Sequence, residues 1–269
     1  MLSIHDNSED SKHLCDYEDY DENASDAADW SDESSDLEED ERSEEEGVSV
    51  SEEADGANPS KDNEDRTLVE VPPSHVTFLD IQAQFESQWQ RTPVPPKVHK
   101  IYSITCSKQH IAKFDRYQAE VGQRIGLANR NIVRYWHGTT RACRVGDNSS
   151  RLNPCSSRDC SLCSIMKWSY NLPVRKAYAR FGSGIYTSST SSKAFDYHRE
   201  LGGSKYGALL LNEVVAGNPL CLTDSCPDFT QLPSGYDSVQ VIPGRSLVYD
   251  EYVVYTEAAI RPVYLVLCK

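Results

Sequence analysis

An α+β domain built on a split antiparallel β-sheet with flanking helices, preceded by a disordered acidic tail, is the fold this sequence predicts. Three observations predict it. Residues 1–70 carry 27 Asp/Glu against 4 Lys/Arg, while residues 71–269 carry 15 against 23, so the net charge of −15 averages two unlike parts. The first part is rich in Glu, Asp and Ser and poor in apolar residues, so it cannot bury enough surface to offset its ordering entropy. The second part, 71–269, is long enough for one domain with a substantial core, and it alternates many short apolar runs with a few helical stripes.

The elements follow in order. Val71-Pro72-Pro73 marks the change of regime. Ser74 is the expected cap of a helix carrying Phe78, Ile81 or Gln82, Phe85 and Trp89 at helical spacing, which the prolines between Thr92 and Pro96 end. Val98 to Ile104 is a short strand. Ser107 caps a second helix with the stripe Ile111, Phe114 and Val121 and with Tyr117 at its side. Asn131 to Trp136 is a strand ending at His137. The polar, cysteine-rich stretch 140–171 reads as loop. Leu172 to Phe181 reads as a short helix with Pro173 in its first turn. Gly184 to Ser188 is a strand and Ser191 to His198 a helix. Tyr206 to Val215 is a strand with Leu209, Leu210 and Leu211 buried. Glu251 to Tyr255 and Val263 to Cys268 are the last strands, joined through 258–262. There is no internal repeat.

Several classes are set aside. The first residues show neither the basic region nor the apolar run of a secretory signal, and no stretch reaches membrane-span length. Nine cysteines without a signal read as reduced thiols or metal ligands. The expected location is nuclear or cytoplasmic. A net +8 on 71–269 suits an anionic ligand, a dinucleotide or a nucleic acid alike.

Three short blocks carry chemistry. Tyr135-Trp136-His137-Gly138-Thr139 places a histidine at a strand end beside a glycine that admits close approach to its backbone. Gly182-Ser183-Gly184-Ile185-Tyr186 leads to Lys193 and then Tyr197, two aromatic rings able to sandwich a flat base. Tyr249-Asp250-Glu251-Tyr252-Val253-Val254-Tyr255 sets a carboxylate in an apolar strand, unusual unless it faces a cleft or has partners. Each has a bland alternative: a turn-capping histidine, core tyrosines among 15, an exposed helix lysine, an edge-strand glutamate. Asp250 and Glu257 are neighbouring candidates for the carboxylate role, though side chains alternate along a strand and only one of Asp250 and Glu251 can face a given cleft.

In this order and at these separations the blocks resemble the His-Tyr-Glu signature of the poly(ADP-ribose) polymerase branch of diphtheria-toxin-like ADP-ribosyltransferases, over roughly residues 76–269. The resemblance implies an NAD-consuming transferase. In it His137 holds a ribose of the adenosine half, the Gly138 backbone holds the nicotinamide carboxamide, and Thr139 belongs to the same binding segment. Tyr186 and Tyr197 stack on nicotinamide, Lys193 lies near the site, and Glu251 polarises the ribose. Ala194 stands where the family carries a serine that donates to the carboxamide; Ser191 or Ser192 are candidates to compensate.

Cys143, Cys155, Cys160 and Cys163 form the pattern C-x₁₁-C-x₄-C-x₂-C, in which the final pair is a metal knuckle. Four thiolates are able to complete a structural zinc site, and some members of the resembled family carry one near the cleft. Four unligated thiols in a loop is the alternative. The expected function is NAD-dependent ADP-ribosyl transfer to protein, mono or poly, with the acidic tail a candidate acceptor or an electrostatic shield. An NAD glycohydrolase and a non-catalytic NAD- or ADP-ribose-binding module are the other readings. Neither a membrane partner nor a dedicated DNA-reading domain is expected.

Overall fold

The computed structural model describes residues 68–126, 132–172, 179–226, 229, 231–244 and 247–269. The expected disorder of the acidic tail and most of the helix expected over 172–181 lie outside the described residues. Helices and mainly antiparallel strands mix as expected. In chain order the elements are β1 (Leu68–Glu70), α1 (Val76–Ser87), β2 (Val98–Ile104), α2 (Lys108–Ile125), β3 (Ile132–Gly138), β4 (Thr140–Arg141), α3 (Ser161–Trp168), β5 (Ile185–Thr187), α4 (Ser191–Phe195), β6 (Arg199–Glu200), β7 (Gly207–Val215), β8 (Pro219–Leu222), β9 (Ser238–Val241), β10 (Glu251–Val254), a 3₁₀ turn (Glu257–Ala259) and β11 (Ile260–Cys268).

The sheet is split into two main parts. A five-stranded sheet has the order β1-β2-β11-β7-β3, a four-stranded sheet the order β5-β10-β9-β8, and β4 pairs with β6. All five-stranded pairings are antiparallel, whereas β8–β9 and β4–β6 are parallel. A bridge between Trp136 and Ser188 ties the two sheets at their seam. Strand β7 lies between β11 and β3 and is covered on both faces. Leu209 and Leu211 join the core cluster of α1, while Leu210 and Val214 join the cluster of α2 and α3. That double burial explains an uninterrupted leucine run where a one-sided strand would alternate.

Several expectations shift. His75, not Ser74, caps α1, its Nδ1 accepting from the Thr77 amide. The helix stops at Ser87, ahead of the prolines. Trp89 lies beyond it and packs against Phe195 at 5.4 Å between ring centroids. Ser107 caps α2 as expected, accepting from the His110 amide. The cysteine-rich stretch is not all loop. It contains β4 and α3, and α3 buries Leu162, Cys163 and Met166 on one stripe. The polar residues around that stripe hid it. Strand β11 starts before Pro262 and passes it at a register shift between Pro262 and Tyr264, a place where a missing N–H is tolerated. Helix α4 is shorter than expected. The free thiols are Cys106, Cys143, Cys155, Cys160, Cys163, Cys221 and Cys268; Cys226 is disulfide-bonded, against the expectation of reduced thiols throughout. Among the described residues no helix is long and apolar enough to cross a membrane.

Arg141, only 1 % exposed, ties β4 to its surroundings. Its Nη2 pairs with Asp147 and donates to the Val145 carbonyl at 2.7 Å, and its Nη1 lies 3.4 Å from Glu200 on β6. Removing the cation strands two half-buried carboxylates. Arg141→Met is expected to lose about 3–5 kcal/mol of folding free energy, seen as a lowered denaturant midpoint; an unchanged midpoint would show the pair to be dispensable.

Candidate active site

The seam between the two sheets opens a cleft of about 360 Å³, lined by Trp136, His137, Gly138, Tyr186, Thr187, Ser188, Lys193, Ala194, Tyr197 and Glu251. Strand pairing assembles it. The seam bridge is a reciprocal pair, Trp136 N–H to Ser188 O at 2.8 Å and Ser188 N–H to Trp136 O at 3.1 Å. It sets the end of β3 beside β5. Strand β10 then pairs with β5, Tyr252 opposite Thr187 and Val253 opposite Tyr186, so Glu251 arrives at the same seam. Of the residues the sequence singled out, His137, Gly138, Tyr186, Lys193, Tyr197 and Glu251 meet here. Thr139 is not among the lining residues; its carbonyl accepts from the Arg199 amide.

His137 Nδ1 lies 2.8 Å from the Tyr186 carbonyl. A carbonyl only accepts, so Nδ1 carries a proton, and in a neutral ring Nε2 is then an acceptor. That nitrogen is suited to accept from a hydroxyl. Tyr170 braces the imidazole edge-on, 5.2 Å between centroids at 89°, and its own hydroxyl donates to Asn212 Oδ1 at 2.8 Å. Sequence reasoning missed Tyr170, because nothing in its neighbourhood signals a contact with a strand more than thirty positions away. Thr187, Ser188 and Trp136 were also not singled out.

Tyr186 is fixed by its hydroxyl, which donates to Gly182 O at 2.9 Å and accepts from Phe181 N–H at 3.0 Å. Burial pushes that hydroxyl's pKa well up, so it stays neutral. Gly182 has φ +68°, and a Cβ there would meet the Phe229 carbonyl at 1.8 Å, which leaves glycine alone for the turn. Gly138 is required for a similar reason. A Cβ at 138 would lie 1.9 Å from the Ala194 carbonyl. The close approach that the glycine permits is made by helix α4.

Glu251 is 7 % exposed. Its Oε1 lies 3.4 Å from Lys193 Nζ, and its buried Oε2 has no hydrogen-bond partner among the described residues. Burial pushes the carboxyl above the ordinary carboxylate range, with Lys193 and Arg180 partly offsetting the shift. Burial acts to lower Lys193, but Tyr197 and Glu251 outweigh it and its pKa is raised. The ammonium also sits 5.1 Å from the Tyr197 ring centroid.

The rival carboxylates are otherwise engaged. Asp250 accepts from Ser188 Oγ, Ser189 N–H and Thr190 Oγ1 at 2.8–2.9 Å, pinning the turn between β5 and α4. Glu257 accepts from the Leu172 amide. Ser191 and Ser192 do not supply a substitute for the hydroxyl missing at Ala194. Ser191 Oγ donates to Phe85 O at 2.8 Å, and Ser192 Oγ accepts from Gln90 N–H at 3.1 Å, so both serve α1 and its exit.

The four cysteines converge, their sulfurs all within 4.8 Å of one another, with Cys143 Sγ 3.8 Å from Cys160 and 3.5 Å from Cys163. Tetrahedral thiolates at about 2.3 Å from zinc lie about 3.8 Å apart, so the donor set fits that ion. Bonding from Cys163 and backbone amides holds the Cys160 thiol low, while burial pushes Cys143 up.

The seam of the split sheet thus brings together a buried glutamate, an anchored tyrosine and a braced histidine. Residues 76–243 match the poly(ADP-ribose) polymerase catalytic domain, more than half of the chain, and the chain belongs to that family. The matched span ends ahead of Glu251, whose place in the cleft comes from the pairing of β10 with β5. Over 118 residues the chain is 43 % identical to "Protein mono-ADP-ribosyltransferase PARP3" of Gallus gallus, which covers 42 % of this chain and 18 % of that protein. The chain thus aligns with under a fifth of that relative's length.

Gly138→Ala should drive a methyl into the Ala194 carbonyl. Overpacking of this kind costs about 1–3 kcal/mol. The expected result is a lower denaturant midpoint; a midpoint equal to wild type would mean that α4 yields freely.

Proposed function

We propose that residues 71–269 form one catalytic domain, an NAD-dependent ADP-ribosyltransferase that cleaves the nicotinamide–ribose bond and transfers ADP-ribose to protein. The observation that carries the proposal is the Glu251 carboxylate, buried at the seam with one oxygen on Lys193 and the other unpartnered among the described residues. A buried acceptor oxygen without a donor is unfavourable unless a ligand supplies one.

In this reading the nicotinamide ring lies between Tyr186 and Tyr197, where its positive charge gains from the aromatic faces. The Gly138 backbone orients the carboxamide, and His137 Nε2 accepts from a ribose hydroxyl. The 2′-hydroxyl of the nicotinamide ribose donates to Glu251. As the C1′–N bond breaks, its electron pair leaves with nicotinamide and positive charge grows on the ribose. The carboxylate, 7 % exposed, opposes that charge. A bond then forms from C1′ to an acceptor oxygen; a hydroxyl acceptor gives its proton to Glu251, whereas an ionised carboxylate acceptor attacks directly and has none to give. Carboxylates of the chain's own acidic segment and other proteins are the proposed acceptors.

Ala194 is the observation behind a second reading, a module that holds NAD without turning it over. One missing hydrogen bond weakens binding by about 1 kcal/mol, roughly a fivefold loss of affinity, which leaves the chemistry of Glu251 intact.

The test measures nicotinamide release and the fate of label from NAD. Glu251→Gln is expected to fold normally and to lower turnover at least about a hundredfold. Near-wild-type release by that variant would refute the assignment. Label on protein identifies transfer, free ADP-ribose identifies hydrolysis, and binding without release identifies the module. In wild type the acid limb of turnover is expected above the usual carboxylate range, because burial raises Glu251 and only its ionised form acts. Lys193→Met removes an opposing cation, so the limb should move to higher pH; a fixed limb would show that another group sets it.

The cysteine cluster is proposed as a structural zinc site. Cys143, Cys155, Cys160 and Cys163 would fill all four positions, leaving none for water. One zinc per chain is expected by elemental analysis, and Cys163→Ser should lower both the metal content and Tm. Purified protein free of zinc with an unchanged Tm would rule the site out.

A further inference from the structure

We propose that the acidic segment 1–67 docks back onto a basic surface around the cysteine cluster, which makes that surface an intramolecular interface. The surface is built from a short stretch of chain. Residues 140–171 hold five Lys/Arg against two Asp. Of these, Arg141 is buried and neutralised by Asp147 and Glu200. Arg144, Arg151 and Arg158 are exposed, and Lys167 is half-buried on Ser156. Asp159 is the one exposed acid of the stretch.

The cysteines hold these cations together. Arg144 follows Cys143, and Arg158 lies between Cys155 and Cys160, all within a knot whose sulfurs are at most 4.8 Å apart. The Arg151 carbonyl closes the turn at Gly146 at 2.6 Å. Arg144 Nε donates to Gly202 O at 3.1 Å, which brings in exposed Lys205 from the segment before β7. None of the ion pairs among the described residues involves Arg144, Arg151, Arg158 or Lys205. A fold that neutralises its buried arginine twice and leaves four exposed cations without a carboxylate presents a surface for an external polyanion.

The chain supplies one. Residues 1–67 carry 26 carboxylates against 4 cations. They join the domain next to the basic loop. Glu70 pairs in register with Tyr102, and the Tyr102 hydroxyl donates to the Gly146 carbonyl at 2.7 Å. Leu68 shares its core cluster with Tyr102, Val145 and Leu162. Sixty-seven residues reach about 220 Å when extended, so length does not limit the docking. Tethering keeps the local concentration of the segment high, on the millimolar scale for flexible links.

Docking of this kind depends on salt and on the sign of the surface. The experiment measures the radius of gyration of the full chain by X-ray scattering at low and high salt, beside Arg151→Glu/Arg158→Glu/Lys205→Glu. Wild type at low salt is expected near the value of a compact chain of this length, about 18 Å, and the charge-reversed chain above about 24 Å. High salt should remove most of the difference. Carbodiimide coupling in the wild type should join Lys167 or Lys205 to acids of 1–67. Should reversal disturb folding, Arg151→Gln/Arg158→Gln gives a smaller expansion with an unchanged Tm. Equal radii for wild type and both variants, or couplings that avoid these lysines, would overturn the proposal. So would a single-stranded oligonucleotide binding wild type through these residues while the radius stays unchanged, which would make the surface a nucleic-acid site. None of these outcomes depends on whether Glu251 is catalytic.

Discussion

The two hydrogen bonds between Trp136 and Ser188 are the constraint on which the cleft rests. They are the one bridge outside the named strands among the described residues, and they cross from the five-stranded sheet to the four-stranded one. His137 follows Trp136, so its ring reaches the Tyr186 carbonyl. Tyr186 sits two residues before Ser188 and opposite Val253, so β10 delivers Glu251 to the same place. Asp250, next to Glu251, fastens the turn that carries Ser188. Without the bridge, His137 belongs to one sheet while Tyr186 and Glu251 belong to the other. A split in a sheet is usually a liability of unsatisfied edges; here the split makes the hollow, and one reciprocal pair keeps it from widening.

The electrostatics of the hollow follow from the burial of its charged groups. Burial raises the Glu251 carboxyl above its ordinary range, and Lys193 partly opposes that. Lys193 is in turn kept charged by Glu251 and Tyr197. A lone buried carboxylate would neutralise itself, and a tightly locked ion pair would have no oxygen left to use. The 3.4 Å separation on one oxygen, with the other oxygen unpartnered among the described residues, lies between these limits.

Much of this was legible in the sequence, and the pattern of what was not is physical. Strands with strong apolar runs, such as β2, β7 and β10, were readable because burial writes itself into consecutive residues. The weakest strands, β8 and β9, were not anticipated, since their partners lie across loops and their composition is unremarkable. Helix α3 was concealed because its stripe of Leu162, Cys163 and Met166 is short and set among polar residues. The blocks around His137, Tyr186 and Glu251 were visible as types of residue. Their states were not: the Nδ1 proton of His137 is fixed by a carbonyl 49 positions away, and the reason for Gly138 is a carbonyl at 194. Ser191 and Ser192 looked available in the sequence and are consumed by a helix about a hundred residues earlier.

That last pair of contacts reaches beyond the cleft itself. Trp136 Nε1 donates to Gln88 Oε1 at 2.6 Å, the Ser191 amide donates to Gln88 O at 3.1 Å, and Arg91 pairs with Asp196 at 2.6 Å. The end of α1 therefore buttresses both the strand bearing His137 and the helix bearing Lys193, without lining the hollow. A shortened chain beginning at β3 would retain every signature residue and lose the scaffold that aligns them. Boundaries for dissecting the protein belong upstream of β1.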